Sequence, residues 1–374
     1  MLSPESRLAD FPSLEGRAYL NTAAESIPPL AAREALLRYW EHKTLGMKGR
    51  DHHFAELDAC RRSAAGLLYR EPDEVAFCSC TSEAYNLLAS ALNLTSGDEV
   101  VITDLEFPSG ATPWLQLPSE PTVRLWSHRD GVLELNDLRP LLNGQTRLVQ
   151  VSLVSFLTGY RIEWKPLRDL VRELAPQAIL SVDVTQAFGR VVLDCLDADC
   201  LIGSSYKWLL GIHGGCVVSI PRPVADRLTT RAGGWYHLSN AFDADRFTRA
   251  EPVSGAASFA VGMPNFAAIY ALRASMDYLA ATGIDSIAAH ANPLVARLHD
   301  GLLALGIRTM APPQPGNPSG IVSFQHHRDE EIQAALLAEN IHVMRQAGRL
   351  RVAIHGYNRA EDIERLLELL GRLT

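Results

Sequence analysis

Cysteine is scarce and shows no ligand-like spacing. Cys60, Cys78, Cys80, Cys195, Cys200 and Cys216 form no C-x-x-C pair and lie mostly within apolar stretches. That pattern excludes a zinc ribbon and a disulfide framework, and reads as inert thiols in a reducing compartment. No window approaches the roughly 20 apolar residues that a membrane span needs. The N-terminal MLSPESRLADFP has neither a basic stretch nor an apolar core, so no signal peptide is expected and the chain is assigned to the cytoplasm. Positive charge is not in excess. With 35 Lys and Arg against 43 Asp and Glu, the net charge is −8, which argues against nucleic acid or an anionic membrane as partner. No G-x-G-x-x-G opens a strand–helix unit, so a dinucleotide is disfavoured. Adjacent His52 and His53 would point apart on either a helix or a strand, so no metal site is expected there.

What is present is a chain of 374 residues, 47% apolar, longer than one hydrophobic core usually supports. From 75 to 220, apolar β-rich runs alternate with helical periodicity, the pattern of a doubly wound, mostly parallel α/β sheet. Strands are expected at 75–78, 100–103, 147–154, 178–182 and 200–203. Ahead of them, helices are expected from Pro28-Pro29 through Trp40, with Leu30, Leu37 and Trp40 on one face, and over 55–69. From about 222 the character changes. Long helices at about 265–281 and 284–305 precede strands at 320–324, 341–344 and 350–354 and a closing helix at 359–370. The division expected is a large domain over 18–252 and a smaller α+β domain over 253–374, joined by 1–17.

One stretch organises the rest. The strand over 178–182 runs into Asp183, with Thr185, Gln186 and Gly189 close behind. The next strand delivers Ser204, Ser205, Tyr206 and Lys207 in succession. In an open parallel sheet, ligands bind outside the carboxyl ends of the strands, so both groups face one crevice. A pyridinium cofactor asks for an anion at its ring nitrogen, a lysine for its aldehyde, and hydroxyl and N–H donors for a phosphate. Asp183, Lys207 and the Ser204 and Tyr206 hydroxyls meet those demands, and point to pyridoxal 5'-phosphate. Thr81 and Ser82 follow a strand and open a helix, either as a phosphate cup or as an ordinary helix cap. Phe107, at another strand end, either stacks on a flat ring or packs in its loop.

With these residues in view, the chain resembles the class V aminotransferase family of fold-type I pyridoxal phosphate enzymes, which includes cysteine desulfurases and isopenicillin N epimerase. The similarity runs nearly end to end, through YLNTAAESIPP, CTSEAYN, LEFPSGATPW, VSLVSFLTGYRI, SVDVTQAFG, SSYKWLLGIHGG, GGWY, GMPN and RLRVAIHGYNRAED. The resemblance implies Lys207 as the Schiff-base lysine and Asp183 on the pyridinium nitrogen. It implies Gln186 on the phenolic oxygen and Phe107 on the ring face. Thr81, Ser82, Ser204 and Tyr206 would hold the phosphate, and Arg351 and Asn21 the substrate. A homodimer with sites at its interface is also implied. Arg349, two positions from Arg351 on the same strand face, is the rival for the carboxylate.

Three positions depart from the desulfurase pattern. Phe107 stands where desulfurases have histidine, and Met263 where a threonine usually reaches the neighbouring phosphate. Between Ile341 and Arg351 lies only HVMRQAGRL, without a persulfide cysteine. The expected activity is therefore β-elimination at a C–S bond of a cysteine-derived amino acid. A class V aminotransferase or an epimerase is the alternative. A persulfide-forming desulfurase ranks below these, and a non-catalytic cofactor-binding partner last.

Overall fold

The computed structural model describes residues 4–373. Its strands, in chain order, are β1 (Ala18–Tyr19), β2 (Val75–Cys78), β3 (Glu99–Thr103), β4 (Thr122–Trp126), β5 (Thr146–Ser152), β6 (Ile179–Asp183), β7 (Cys200–Ser204), β8 (Cys216–Ser219), β9 (Ile321–Gln325), β10 (Ile341–His342), β11 (Met344–Gln346) and β12 (Arg349–Ala353). β2 to β8 form one sheet in the order β2-β8-β7-β6-β5-β3-β4. β3, β4, β5, β6 and β7 pair parallel, while β8 runs against both β7 and β2. The carboxyl ends of β2, β3, β5, β6 and β7 therefore share one edge.

Every residue of β6, β7 and β8 is buried, as expected for strands of a parallel-type sheet covered on both faces. The edge strand β4 is different. Its Thr122 and Leu125 are exposed, and Arg124 pairs with Glu99 of β3 at 2.6 Å, so its apolar run is broken by polar side chains suited to an edge. The helix Trp164–Leu174 buries Leu167, Leu170 and Val171 and turns Lys165, Arg168 and Asp169 outward.

Ala18, Leu20, β9, β10 and β12 share a second core with the helices Ile284–Ala304 and Ala360–Leu373. β11, β12 and β9 form an antiparallel sheet, and β1 pairs with β10. The Ala353 N–H donates to the Leu20 carbonyl at 2.8 Å, tying the N-terminal segment to β12. At the seam between this core and the large sheet, Gly159 holds φ +83, and a Cβ there would stand 2.2 Å from the Ile321 carbonyl oxygen. Only glycine fits both demands.

The helix Leu30–Thr44 begins where the two prolines direct it, and the face that carries Leu30, Leu37 and Trp40 is its open one. Leu30, Leu37 and Trp40 are exposed, and Ala32 and Ala35 are buried instead. The helix packs against Phe266–Thr282, where Tyr39 and His42 meet Tyr270. The 3.6-residue period locates a stripe but does not say which stripe is covered. No helix among the described residues is long and apolar enough to cross a membrane.

Candidate active site

Asp183 closes β6, and the pairing with β5 sets it opposite Ser152. Its carboxylate is 5% exposed. The Thr185 N–H donates to Oδ1 at 2.7 Å and the Tyr85 hydroxyl donates to Oδ2 at 3.0 Å. Burial pushes its pKa up, while those donors and the nearby Lys207 pull it back. Lys207, just beyond β7, is 8% exposed, with Nζ 5.3 Å from the Phe107 ring centre and 5.5 Å from that of Tyr206. Burial pulls its pKa down to about 8, with Asp183 opposing and Arg351 adding to the effect. A buried amine so placed is neutral far more readily than a surface lysine.

Thr81 opens the helix Thr81–Leu92 directly after β2, and the preceding Cys80 contributes no side-chain cap. The first-turn N–H groups therefore have no N-cap side chain to donate to and remain available to an anion. Thr81, Phe107, Asp183, Gln186, Ser204, Tyr206 and Lys207 line a single cavity. Ser82 is not among its lining residues; it is exposed one position along the helix, where its carbonyl accepts from Asn86. Gln186 is fixed at both ends, Nε2 donating to the Ala23 carbonyl at 3.1 Å and Oε1 accepting from Trp208 Nε1 at 2.7 Å. One amide N–H is left for a ligand. Phe107 is 43% exposed and meets Phe156 edge-to-face at 5.0 Å and 86°. It lines the cavity, with Lys207 Nζ over its ring.

Arg351 is 2% exposed, its Nη1 donating to the Phe156 carbonyl at 2.8 Å, and burial pulls its pKa down to about 9. Asn21 bridges in parallel to Ala353 of the same strand, and its Oδ1 is buried without a hydrogen-bond partner. The tight turn between β11 and β12 consists of Ala347 and Gly348, both at positive φ (50° and 75°), the signature of a two-residue hairpin. Met263 is exposed in the loop before the helix Phe266–Thr282.

Sequence reasoning did not find the polar chain beneath Asp183. Gln150 Nε2 donates to the Tyr85 hydroxyl at 3.1 Å and to Glu106 Oε2 at 3.4 Å. Glu106 is buried, and desolvation together with the negative charge of Asp183 pushes its pKa up to about 8. Asp183 has the stronger donors and the nearby lysine, so of the two carboxyl groups Glu106 keeps the proton. These residues come from different elements, and Tyr85 occupies an apolar helix position, so nothing local marks them.

The folded state holds a proton on Glu106 that the unfolded chain releases between pH 4.5 and about 8. This group's stability contribution is therefore complete below pH 4.5 and is lost as pH rises through about 8. In cofactor-free protein, Glu106→Gln is expected to remove that part of the fall, on the order of a few kcal/mol across the window. Melting temperature against pH for both proteins checks it. Parallel curves would place the proton elsewhere.

Against known proteins, a model described as "Aminotransferase class-V" matches residues 18–366. A probable cysteine desulfurase of Pseudomonas aeruginosa is 30% identical, with 100% of this chain and 98% of that protein covered. An uncharacterized aminotransferase of Bacillus subtilis, YcbU, is 27% identical over 99% of this chain and 98% of that one. Among solved structures, the apo cysteine desulfurase of Thermococcus onnurineus superposes with a TM-score of 0.89 at 24% identity, covering 100% of this chain and 99% of that one. The cystine C–S lyase C-DES, solved with its product cysteine persulfide, superposes at 0.85 with 21% identity, over 96% and 99%. The large mostly parallel sheet with its smaller companion core is thus the fold-type I architecture. The chain belongs to the class V aminotransferase family, and is an enzyme of the pyridoxal phosphate-dependent kind.

Proposed function

We propose that this chain is a C–S lyase that cleaves the Cβ–S bond of a cysteine-derived amino acid. The residues present fit pyridoxal phosphate. Asp183 offers a buried carboxylate for a protonated ring nitrogen, and Lys207 a readily neutralised amine for the aldehyde. The uncapped helix start at Thr81 and the Ser204 and Tyr206 hydroxyls would hold the phosphate. Gln186 would donate its remaining N–H to the phenolic oxygen, and Phe107, which lines the cavity, would cover the ring. When bound, the cofactor supplies an electron sink conjugated to Cα of the substrate.

The protein's own groups do the rest. Arg351 receives the α-carboxylate through its planar fork, with Asn21 beside it. Lys207 takes the Cα proton on Nζ. The Cβ–S bond breaks with its electron pair leaving on sulfur, and water converts the remainder to pyruvate and ammonia.

The observation that carries this reading over a persulfide route is the β11–β12 hairpin. Where a mobile loop would have to present a sulfur acceptor beside Arg351, a two-residue turn of Ala347 and Gly348 closes two strands that contain no cysteine. The cysteines at 60, 78, 195, 200 and 216 are buried, with burial pushing each thiol pKa up. Cys80 departs from the sequence expectation of inert thiols in being exposed, but it sits at the helix start on the phosphate side. Sulfur is therefore expected to leave as a small molecule.

The test offers S-methyl-L-cysteine to the holoenzyme. Pyruvate and ammonia in equal amounts with methanethiol are expected. Amino-group transfer to a keto acid without pyruvate, racemised substrate alone, or a stable protein persulfide would reject the lyase.

A further inference from the structure

Two buried guanidinium groups, not one, lie against Phe156 at the wall of this cavity. Arg349 and Arg351 alternate along β12 and so lie on the same strand face, paired with Gln325 and Ser323 of β9. Arg349 is 4% exposed and Arg351 2%. Both converge on Phe156, which lines the cavity. Arg351 donates to its carbonyl, and the Arg349 guanidinium carbon lies 5.6 Å from its ring centre. Neither forms an ion pair with a carboxylate among the described residues, and each leaves a buried Nε without a partner. Arg349 otherwise has only the Gln346 side-chain oxygen, at 3.3 Å across the hairpin.

Uncompensated buried charge is costly, and adjacent like charges add to the cost. An anion that binds there removes it. The cofactor's phosphate is provided for on the Thr81 side, and one α-carboxylate occupies one fork. A second anion is missing. We infer that the substrate is an amino acid carrying a second anionic group on its side chain, with Arg351 taking the α-carboxylate and Arg349 the side-chain anion. A carboxylate, sulfonate or sulfinate meets the requirement equally, since each presents two coplanar or near-coplanar oxygens to a guanidinium fork. The inference deepens the lyase reading and rests on it for the placement of the α-carboxylate. It makes Arg349 the residue that decides specificity.

The test titrates the holoenzyme with S-carboxymethyl-L-cysteine, L-aspartate and S-methyl-L-cysteine, following the visible absorbance of the bound cofactor. At least one of the two anionic ligands is expected to bind about tenfold or more tighter than S-methyl-L-cysteine. Arg349→Gln should erase that preference while leaving S-methyl-L-cysteine within about twofold, whereas Arg351→Gln should weaken all three. Arg349→Met removes the unpaired charge from the interior, so its ligand-free melting temperature should not fall, which separates loss of the anion site from loss of the fold. No preference for either anionic ligand in the wild type, or a preference that survives both Arg349 variants, overturns the inference and leaves the lyase standing. No spectral response to any of the three overturns both.

Discussion

Lys207→Ala is expected to abolish turnover, with kcat falling by about 10⁴-fold or more, since positioned proton transfer alone contributes up to about that factor. Two properties of Lys207 converge on this result. It sits just past the end of β7 with Nζ against the rings of Phe107 and Tyr206, and among the described residues no other lysine lines the cavity. Burial also holds its pKa at about 8, so a sizeable share of the amine is neutral near physiological pH. The variant should still take up pyridoxal phosphate non-covalently, because Thr81, Ser204, Tyr206 and Asp183 are untouched. Its absorbance should then match free aldehyde rather than a lysine adduct. Lys207→Arg keeps the charge but cannot surrender the proton, and should be equally inactive. Retention of more than about a hundredth of wild-type kcat in either variant would contradict the proton-transfer role.

Asp183→Asn is the second large effect. The substitution keeps the shape and the Thr185 and Tyr85 neighbours but removes the carboxylate that, among the described residues, is alone in lining the cavity. A ring nitrogen opposite a neutral amide has nothing to keep it protonated. Preorganised charge of this kind contributes about 10²–10³-fold to kcat, and a loss of that size is expected with KM changed far less. The pH dependence of the bound chromophore should change as well, which a merely structural role would not produce. Stoichiometric cofactor and an unaltered pH profile in Asp183→Asn would show that the carboxylate does not face the ring nitrogen.

The sheet's ligand edge was legible because apolar runs ended abruptly in polar residues at Asp183 and Ser204, and that boundary is physical. Strand interiors covered on both faces must be apolar, and the first residues outside them are free to carry chemistry. That reasoning singled out Lys207, Asp183, Thr81, Gln186, Ser204, Tyr206 and Phe107 as candidates, and these side chains line one cavity. Other features left no such mark. β4 is an edge strand whose Arg124 and Thr122 interrupt the pattern, and the helix Pro108–Leu115 contains Pro113, so neither reads as an element from sequence. The helix Leu30–Thr44 shows its apolar stripe plainly, yet that stripe is exposed, and Tyr39 and His42 make the contacts with Tyr270 of Phe266–Thr282. Tyr85, Glu106 and Gln150 meet only through the fold, and a hydrogen-bonded chain assembled from separate elements has no linear signature. Arg349 was visible by its period-two relation to Arg351, but its lack of an ion-pair partner is a fact of three dimensions.

The identity of the lysine that carries the cofactor is open to a direct chemical reading. Holoenzyme reduced with borohydride, digested and mapped by mass spectrometry should yield one pyridoxyl-labelled peptide, with the label on Lys207. A label on any other lysine, or reduction that leaves no labelled lysine, would contradict the site described here.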